Sequence, residues 1–572
     1  MGLFSRFKSV DNPNDSSKTP DSTYPLDFKP PEKSETADDI EVVHELEVGS
    51  GGELTYEEDT QGGMGRHLGV FSCTMLIVGR IIGTGIFSTP STILGSVGSV
   101  GASLMLWVLG FALSACGLCV WLEFGTMIPR SGGEKVYLEA IYPRPKYLAT
   151  VIFASNAVLL GFTASGCIVS PCILIAAGQP DPRWVVRGIA LGVIFFATLV
   201  HGFAPKHGVL FMNALSMLKI VVLLVIVITG WVVLSGKTHI QDPHLNFRNA
   251  FAGSSHSSND YATATFKVLF SYAGWSNVNY VLNDVKNPIR TLKIAAPLGL
   301  GLCATLYLLA NIAYFAAASK VDIVKSQVTV ASLFFKNVFG VKAERALSVL
   351  VALSPNPSQI MIQSPACHFH VSSELAKEGV PFPFSNKFWA SNWPTGKSPF
   401  PGLIVHLIPS IIVIIAPPPS VVYPFILDVE GYPQQIINMF IVFGLFWLRY
   451  REPNAVRPSS NHAHMTTVWW PFAVFFLAAA LFLVIAPFLR PANKVGDTPP
   501  LPYYLYCLVG IAVMVFGVLY WAVWRVILPR LFGYRLVPRK EQLADGTFVT
   551  LVSTTFLRRD CTEDGYWRIV CA

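Results

Sequence analysis

The chain has 572 residues, 52% of them hydrophobic, 12% aromatic and only 13% charged. A typical soluble domain carries about 25% charged residues, so the composition excludes a water-soluble globular protein and predicts a polytopic α-helical membrane protein. The formal charge of +7 is the modest surplus that membrane-flanking loops collect, and it gives no reason to expect nucleic-acid binding.

Residues 1–66 are polar, with acidic clusters at Asp38-Asp39, Glu45 and Glu57-Glu58-Asp59 and little apolar periodicity. They read as a disordered tail with no secretory signal ahead of the first span. A hydrocarbon core about 30 Å thick needs about 20 apolar helical residues, and such runs then recur. About twelve spans are expected, over 68–94, 99–127, 147–177, 184–203, 208–235, 262–283, 292–318, 343–363, 402–417, 421–449, 468–489 and 502–528. The eighth contains Pro355 and Pro357, and the ninth is short and ends at Pro417-Pro418-Pro419; both are weak.

Twelve crossings return the chain to its starting side. On that side lie Arg130, Lys135, Arg144 and Lys146, then Lys286, Arg290 and Lys293, then Arg449, Arg451 and Arg457. Lys320, Lys325, Lys336 and Lys342 lie opposite. The balance predicts cytoplasmic termini, and Arg530, Arg535, Arg539 and Lys540 after the last span agree.

The first span breaks the rules of a lipid-crossing helix. It reads VGRIIGTGIFSTP, with Gly83-Thr84-Gly85 at its middle, Arg80 one turn earlier and Pro90 beyond. An unpaired backbone group in hydrocarbon costs several kcal/mol, so irregular backbone persists only where it lines a polar cavity. Paired glycines permit unwinding. The gap then presents carbonyls from one half-helix and N–H groups, with a positive dipole end, from the other. That combination suits the zwitterionic head of an amino acid. The competing explanation is close helix packing on small residues. A second interruption, at Ser271, Tyr272, Ala273, Gly274, Trp275, Ser276 and Asn277, falls in the sixth span. Counting five spans onward from the first lands on it, the spacing of a five-plus-five inverted repeat.

Lys219 lies deep in the fifth span, with about eleven span residues before it and sixteen after. A charge at such depth usually faces a cavity rather than snorkelling. Arg80 is expected to meet a carboxylate or backbone carbonyls. Glu123, near the end of the second span, fits interfacial solvation as well as a role, and Lys267 is expected to face an outer vestibule. Most of the ten cysteines lie inside spans and read as small apolar packing residues. Cys116 and Cys119 have a metal-like spacing in an apolar run and are read the same way. His368 and His370 read as loop residues. No P-loop, dinucleotide fingerprint or zinc constellation is present, so neither an enzyme nor a cofactor is expected.

VGRIIGTGIFSTPS, EFGTMIPRSGGEKVYLE (Glu123 to Glu139) and FSYAGWSNVNYVLNDVKNPIRTLK (Phe270 to Lys293) together resemble the amino acid–polyamine–organocation superfamily. Its L-type branch, and within that the fungal high-affinity methionine permeases, is the nearest likeness, supported by ELAKEGVPFPF and FILDVEGYP. The resemblance implies an all-α, LeuT-like fold: two inverted repeats in spans one to ten, spans one and six discontinuous, spans eleven and twelve peripheral. It implies a disordered cytoplasmic tail over 1–66, a transport core over 67–449, two further spans within 450–528 and a cytoplasmic tail over 529–572. Ile82, Gly83, Thr84 and Gly85 would then receive the substrate α-carboxylate, and carbonyls near Ile81, Phe270, Ser271 and Ala273 the α-amino group. Tyr272, Gly274 and Trp275 would shape or gate the side-chain pocket, with small Gly274 leaving room for a methionine side chain. Lys219 occupies the place where sodium-coupled relatives bind an ion, which implies proton coupling. The sequence departs from the family in the eighth span, where ALSPNPSQIMIQSPACHFHVSSELAKEG replaces a small, glycine-containing stretch.

The resemblance therefore implies proton-driven, alternating-access import of methionine or similar neutral amino acids at the plasma membrane, among membrane lipids. Alternatives are a broader neutral amino-acid or polyamine carrier and a nutrient sensor that binds without transport. A polyamine carrier would want acidic residues in the cavity, and none stands at either break. Lys8, Lys18, Lys29 and Lys33 in the acidic tail suggest a ubiquitin-ligase adaptor as partner, against a merely solvated tail.

Overall fold

The computed structural model describes residues 66–160, 183–240, 242–326, 330–353, 375–381, 386–393, 400–415, 419–451, 468–491, 501–543, 548–561 and 567–571. The tail 1–65, the departing stretch 354–374 with His368 and His370, and the tail lysines lie outside the described residues.

The described chain is a helical body. The first span is two helices, α1 (Val70–Ile81) and α2 (Thr84–Val97). α3 (Val100–Met127) starts at Ser99, whose Oγ accepts from Ala102 N at 3.3 Å, the usual remedy for the unpaired donors of a first turn. A short α4 (Glu134–Ile141) and α5 (Leu148–Leu159) follow. α6 (Arg183–Phe203) and α7 (Pro205–Leu234) are next, the latter beginning on proline, which suits a first helical position. α8 (Ser258–Tyr272) is the helical part of the sixth span, and α9 (Pro288–Ala317) again begins on proline. Then come α10 (Val341–Leu353), α11 (Phe400–Ile415), α12 (Pro419–Arg451), α13 (Trp470–Ile485) and α14 (Leu505–Ala522). Some helix is thus found within each of the twelve expected segments. Among the described residues six helical runs, counting Val70–Val97 as one, are long and apolar enough to cross a membrane. Large apolar side chains such as Phe196, Ile228 and Leu519 point outward, the surface that hydrocarbon rather than water demands.

The core lies where α1, α2, α3, α7, α8 and α9 meet. α1 packs on α7 and α9, and α2 packs on α8. Trp107, Tyr272 and Tyr307 interlock there edge-on or tilted, with ring centroids 5.3–5.9 Å apart. The approach to the first span is stitched to the exit from the second break. His67 N and Leu68 N both donate to Asp284 O at 2.9 Å, and Lys286 N donates to Leu68 O at 2.8 Å.

Three expectations need correction. The chain is not wholly α: within the expected tail, Tyr534–Gln542, Phe548–Cys561 and Trp567–Cys571 form a three-stranded antiparallel sheet, β1-β2-β3. β-Branched residues dominate Phe548–Thr555, as suits a strand. Val549 and Leu551 join Ala376, Trp389 and Ala390 in a small apolar cluster. Lys267 does not face a vestibule: it is buried in α8.

Glu123 is not solvated either. It is fully buried, and Arg449 of α12 grips it in a fork, Nε to Oε1 at 3.2 Å and a terminal nitrogen to Oε2 at 2.5 Å. Val468 N also donates to Oε2 at 2.8 Å. A buried carboxylate is tolerable only with such partners, and these fasten α3 and α12 to the residues leading into α13.

Candidate functional site

α1 ends because Ile82 (φ −71°, ψ 84°) and Gly83 (φ −117°, ψ −151°) leave helical space, and α2 restarts at Thr84. The last carbonyls of a helix have no partner within it, and inside a membrane protein they must find one. Lys219, fully buried on α7, donates from Nζ to Gly79 O at 2.6 Å. Tyr307 of α9, equally buried, has its hydroxyl against Ile81 O. Gly83 N turns back onto Ile81 O at 2.7 Å.

The same Tyr307 hydroxyl lies 3.1 Å from Ser271 O, at the second break. One phenol therefore spans both interruptions, with one proton for two acceptors. The breaks also touch directly. A Cβ on Gly85 would sit 2.5 Å from Ser271 Oγ and 2.8 Å from Ser271 Cα, so only glycine allows this approach. Thr89 Oγ1 and Ser271 Oγ are 3.0 Å apart.

α8 stops at Tyr272, and Gly274 adopts φ +121°. The chain does not return to α-helix; it continues as 3₁₀ turns, Asn277–Tyr280 and Leu282–Asp284. A Cβ on Gly274 would lie 2.1 Å from Arg80 Cγ, so the space that glycine leaves is filled by Arg80. The space directly beside Gly274 thus holds the guanidinium stem from the first span, while Gly274 itself also lines the neighbouring cavity.

Beside this second break lies a cavity of about 200 Å³. Phe270, Ala273, Gly274 and Trp275 line it, as does Arg80. Aromatic and polar walls come from Phe266, Tyr280, Phe476, Asn156, Gln434, Gln435 and Asn438. Such a mix of apolar surface with a few polar groups is the usual make-up of a small-molecule site. Ile81, Ile82, Gly83, Gly85, Ser271 and Tyr272 do not line it; they are buried behind it, in the contact between the breaks. Thr84 opens α2. The structure thus brings the expected residues into one neighbourhood and divides them into cavity wall and support.

Three residues escaped the sequence reading. No acid stands at either break itself, as expected, but Glu134 and Glu430 both line the cavity. Glu430 had a signal, being an ionisable residue within a predicted span. Glu134 lies far from both breaks in sequence, in the loop after the second span, and only the fold brings it in. Tyr307 had no signal, since one tyrosine in an apolar run is ordinary.

A family model described as amino acid permease matches residues 68–514. The chain is 37% identical to the high-affinity methionine permease of Saccharomyces cerevisiae over 509 residues, 89% of this chain and 84% of that one. It is 33% identical to the low-affinity methionine permease of the same yeast over 501 residues, 85% of this chain and 87% of that one. A mouse b(0,+)-type amino acid transporter 1 is 33% identical over 268 residues, 46% of this chain and 53% of its own length. These relatives are transporters rather than enzymes, and the chain, a multi-pass membrane protein, belongs to the amino acid permease family, within the amino acid–polyamine–organocation superfamily.

Proposed function

We propose that the protein is a secondary active permease importing methionine or a similar neutral amino acid, with protons as the coupling ion and alternating access as the mechanism. The observation that carries this reading is the cavity at the second helix break, whose wall includes the tip of the first broken span through Arg80. A cavity of about 200 Å³ suits one small amino acid. The likeness to two yeast methionine permeases over most of the chain supports the substrate class. Phe270, Ala273, Gly274 and Trp275 contact substrate directly in this reading. Ile81, Ile82, Gly83, Thr84, Gly85, Ser271 and Tyr272 supply peptide groups when the broken spans part. Lys219 holds the first break and changes protonation during the cycle.

The same reading makes the two breaks equivalent points of a LeuT-like inverted repeat within a core of 67–449. It gives twelve crossings, a plasma-membrane location and cytoplasmic tails, the N-terminal one open to a ubiquitin-ligase adaptor. The carboxylates of Glu134 and Glu430 favour, as the second reading, a carrier of cationic solutes such as polyamines. Uptake of labelled methionine into permease-deficient cells, at two pH values and against a panel of amino acids and polyamines, separates them. Methionine uptake that rises in acid and is displaced by neutral amino acids is expected. Displacement by polyamines alone favours the second reading, and saturable binding without uptake indicates a sensor.

A further inference from the structure

We propose that Glu134 carries a transported proton in the cavity, a deeper statement of the coupling just described and resting on it. Its carboxyl is 2% exposed and lines the cavity. Oε1 accepts from Trp121 Nε1 at 3.0 Å, while Oε2 has no hydrogen-bond partner among the described residues. An unpaired buried carboxylate oxygen is costly when charged and far less so when protonated. Lys219, the other group assigned to coupling, holds Gly79 O of the first break and does not line the cavity.

Glu134 is also tied, through the residues just before it, to the turns that follow the second break. Gly133 N donates to Asn279 O at 3.2 Å. Ser131 N donates to Asn283 Oδ1 at 3.2 Å, and Asn283 N donates to Ser131 Oγ at 3.0 Å. Gly132 (φ +117°) and Gly133 (φ +55°) make this approach possible, since a Cβ on Gly133 would meet the Tyr280 ring at 2.9 Å. Any shift of the turns after the second break changes what surrounds the carboxyl, and so its affinity for a proton.

The groups facing Glu134 are few. Trp121 comes from α3, Tyr280 and Ser276 from the second break, and Tyr137 from the next turn of its own helix. Arg80 and Glu430 share the cavity. Lys135 turns away to Glu139 and Glu378. A hard metal ion needs a shell of oxygens, whereas indole and phenol rings surround this carboxyl; a proton needs only the one free lone pair. Burial pushes the Glu134 carboxyl up from its ordinary range, with Tyr280, Trp121 and Ser276 opposing. A carboxyl raised in this way holds a proton more readily than one in water.

The test uses the full chain, purified into phospholipid vesicles, with labelled methionine and a trapped pH dye. In the unaltered protein an acid-outside gradient drives accumulation, about tenfold per pH unit for one proton, and the lumen acidifies. Glu134→Gln is expected to lose that accumulation and the proton signal while still exchanging labelled for unlabelled methionine. Gradient-driven accumulation by Glu134→Gln equal to the unaltered protein's overturns the inference and leaves the permease reading standing. Methionine exchange and accumulation without any proton movement in the unaltered protein overturns the inference together with the proton coupling it rests on, and leaves only the amino-acid permease standing. An unaltered chain that neither accumulates nor exchanges methionine sinks the permease reading itself. Should Glu134→Gln fail to fold, Tyr280→Phe decides: removing a hydroxyl that favours the ionised carboxyl moves the pH midpoint of uptake upward, and an unmoved midpoint overturns the inference.

Discussion

The two helix breaks differ more than the symmetry expected of them suggests. The first is short, two residues between proper α-helices, and its carbonyls are already held by Lys219 and Tyr307. The second is long: after Tyr272 the chain passes through a left-handed glycine and stays in 3₁₀ turns to Asp284. The first is buried behind the cavity and the second forms its wall. Broken helices in one protein therefore need not share a task. Fastened backbone suits a fulcrum; open, irregular backbone beside a cavity suits a surface that meets solute. Tyr307 joins the two through one proton.

The most damaging way to break this division is Gly274→Ala. A residue forced to φ +121° costs about 1–3 kcal/mol in backbone strain alone. The added methyl would also fall 2.1 Å from Arg80 Cγ, displacing the side chain that links the first span to the cavity. Uptake should fall by about two orders of magnitude, near 3 kcal/mol at 1.36 kcal/mol per tenfold. Near-normal uptake by Gly274→Ala would mean that the contact between Arg80 and the second break is dispensable.

Tyr307→Phe should come next. It removes the hydroxyl that reaches both Ile81 O and Ser271 O, of which Ile81 O keeps Gly83 N, and changes little else in ring packing. Leaving a buried acceptor without its donor costs about 1–3 kcal/mol. Thermal unfolding of the purified variant should shift down accordingly, and uptake should drop about tenfold. If the tyrosine is mere packing, both measurements stay at the level of the unaltered chain, and the two breaks are then independent.

Much of this was legible in the sequence, for reasons that differ by residue. The breaks were visible because glycines and polar side chains in a membrane span have few explanations. Lys219 was visible because depth makes a charge conspicuous. The family could be read from three long motifs. Which break would line the cavity was not legible, because that depends on whose side chain fills the space at Gly274, and Arg80 lies nearly two hundred positions away. Glu123 was ambiguous because its partner, Arg449, sits at the end of a span eight further on, where positive charge is expected anyway. The terminal sheet was missed because its strands alternate weakly and carry many charges, which reads as a solvated tail.

The finest probe is the hydroxyl contact between Thr89 and Ser271, 3.0 Å apart, where α2 meets α8. Thr89→Val keeps the shape and removes the hydroxyl. Thr89 Oγ1 also lies 2.8 Å from Gly85 O, within its own helix, so either acceptor can take its one proton. Gly85 O still belongs to a helical ladder, and Ser271 Oγ still lies 2.8 Å from Lys267 O, so neither group is stranded by the change. The net effect of one such neutral hydrogen bond is about 0.5–1.5 kcal/mol, at the lower end here because alternatives exist. Unfolding should shift only slightly, and methionine uptake should fall no more than a few fold. A loss as deep as that of Tyr307→Phe would show that the first break is held to the second chiefly through α2, rather than through the phenol between them.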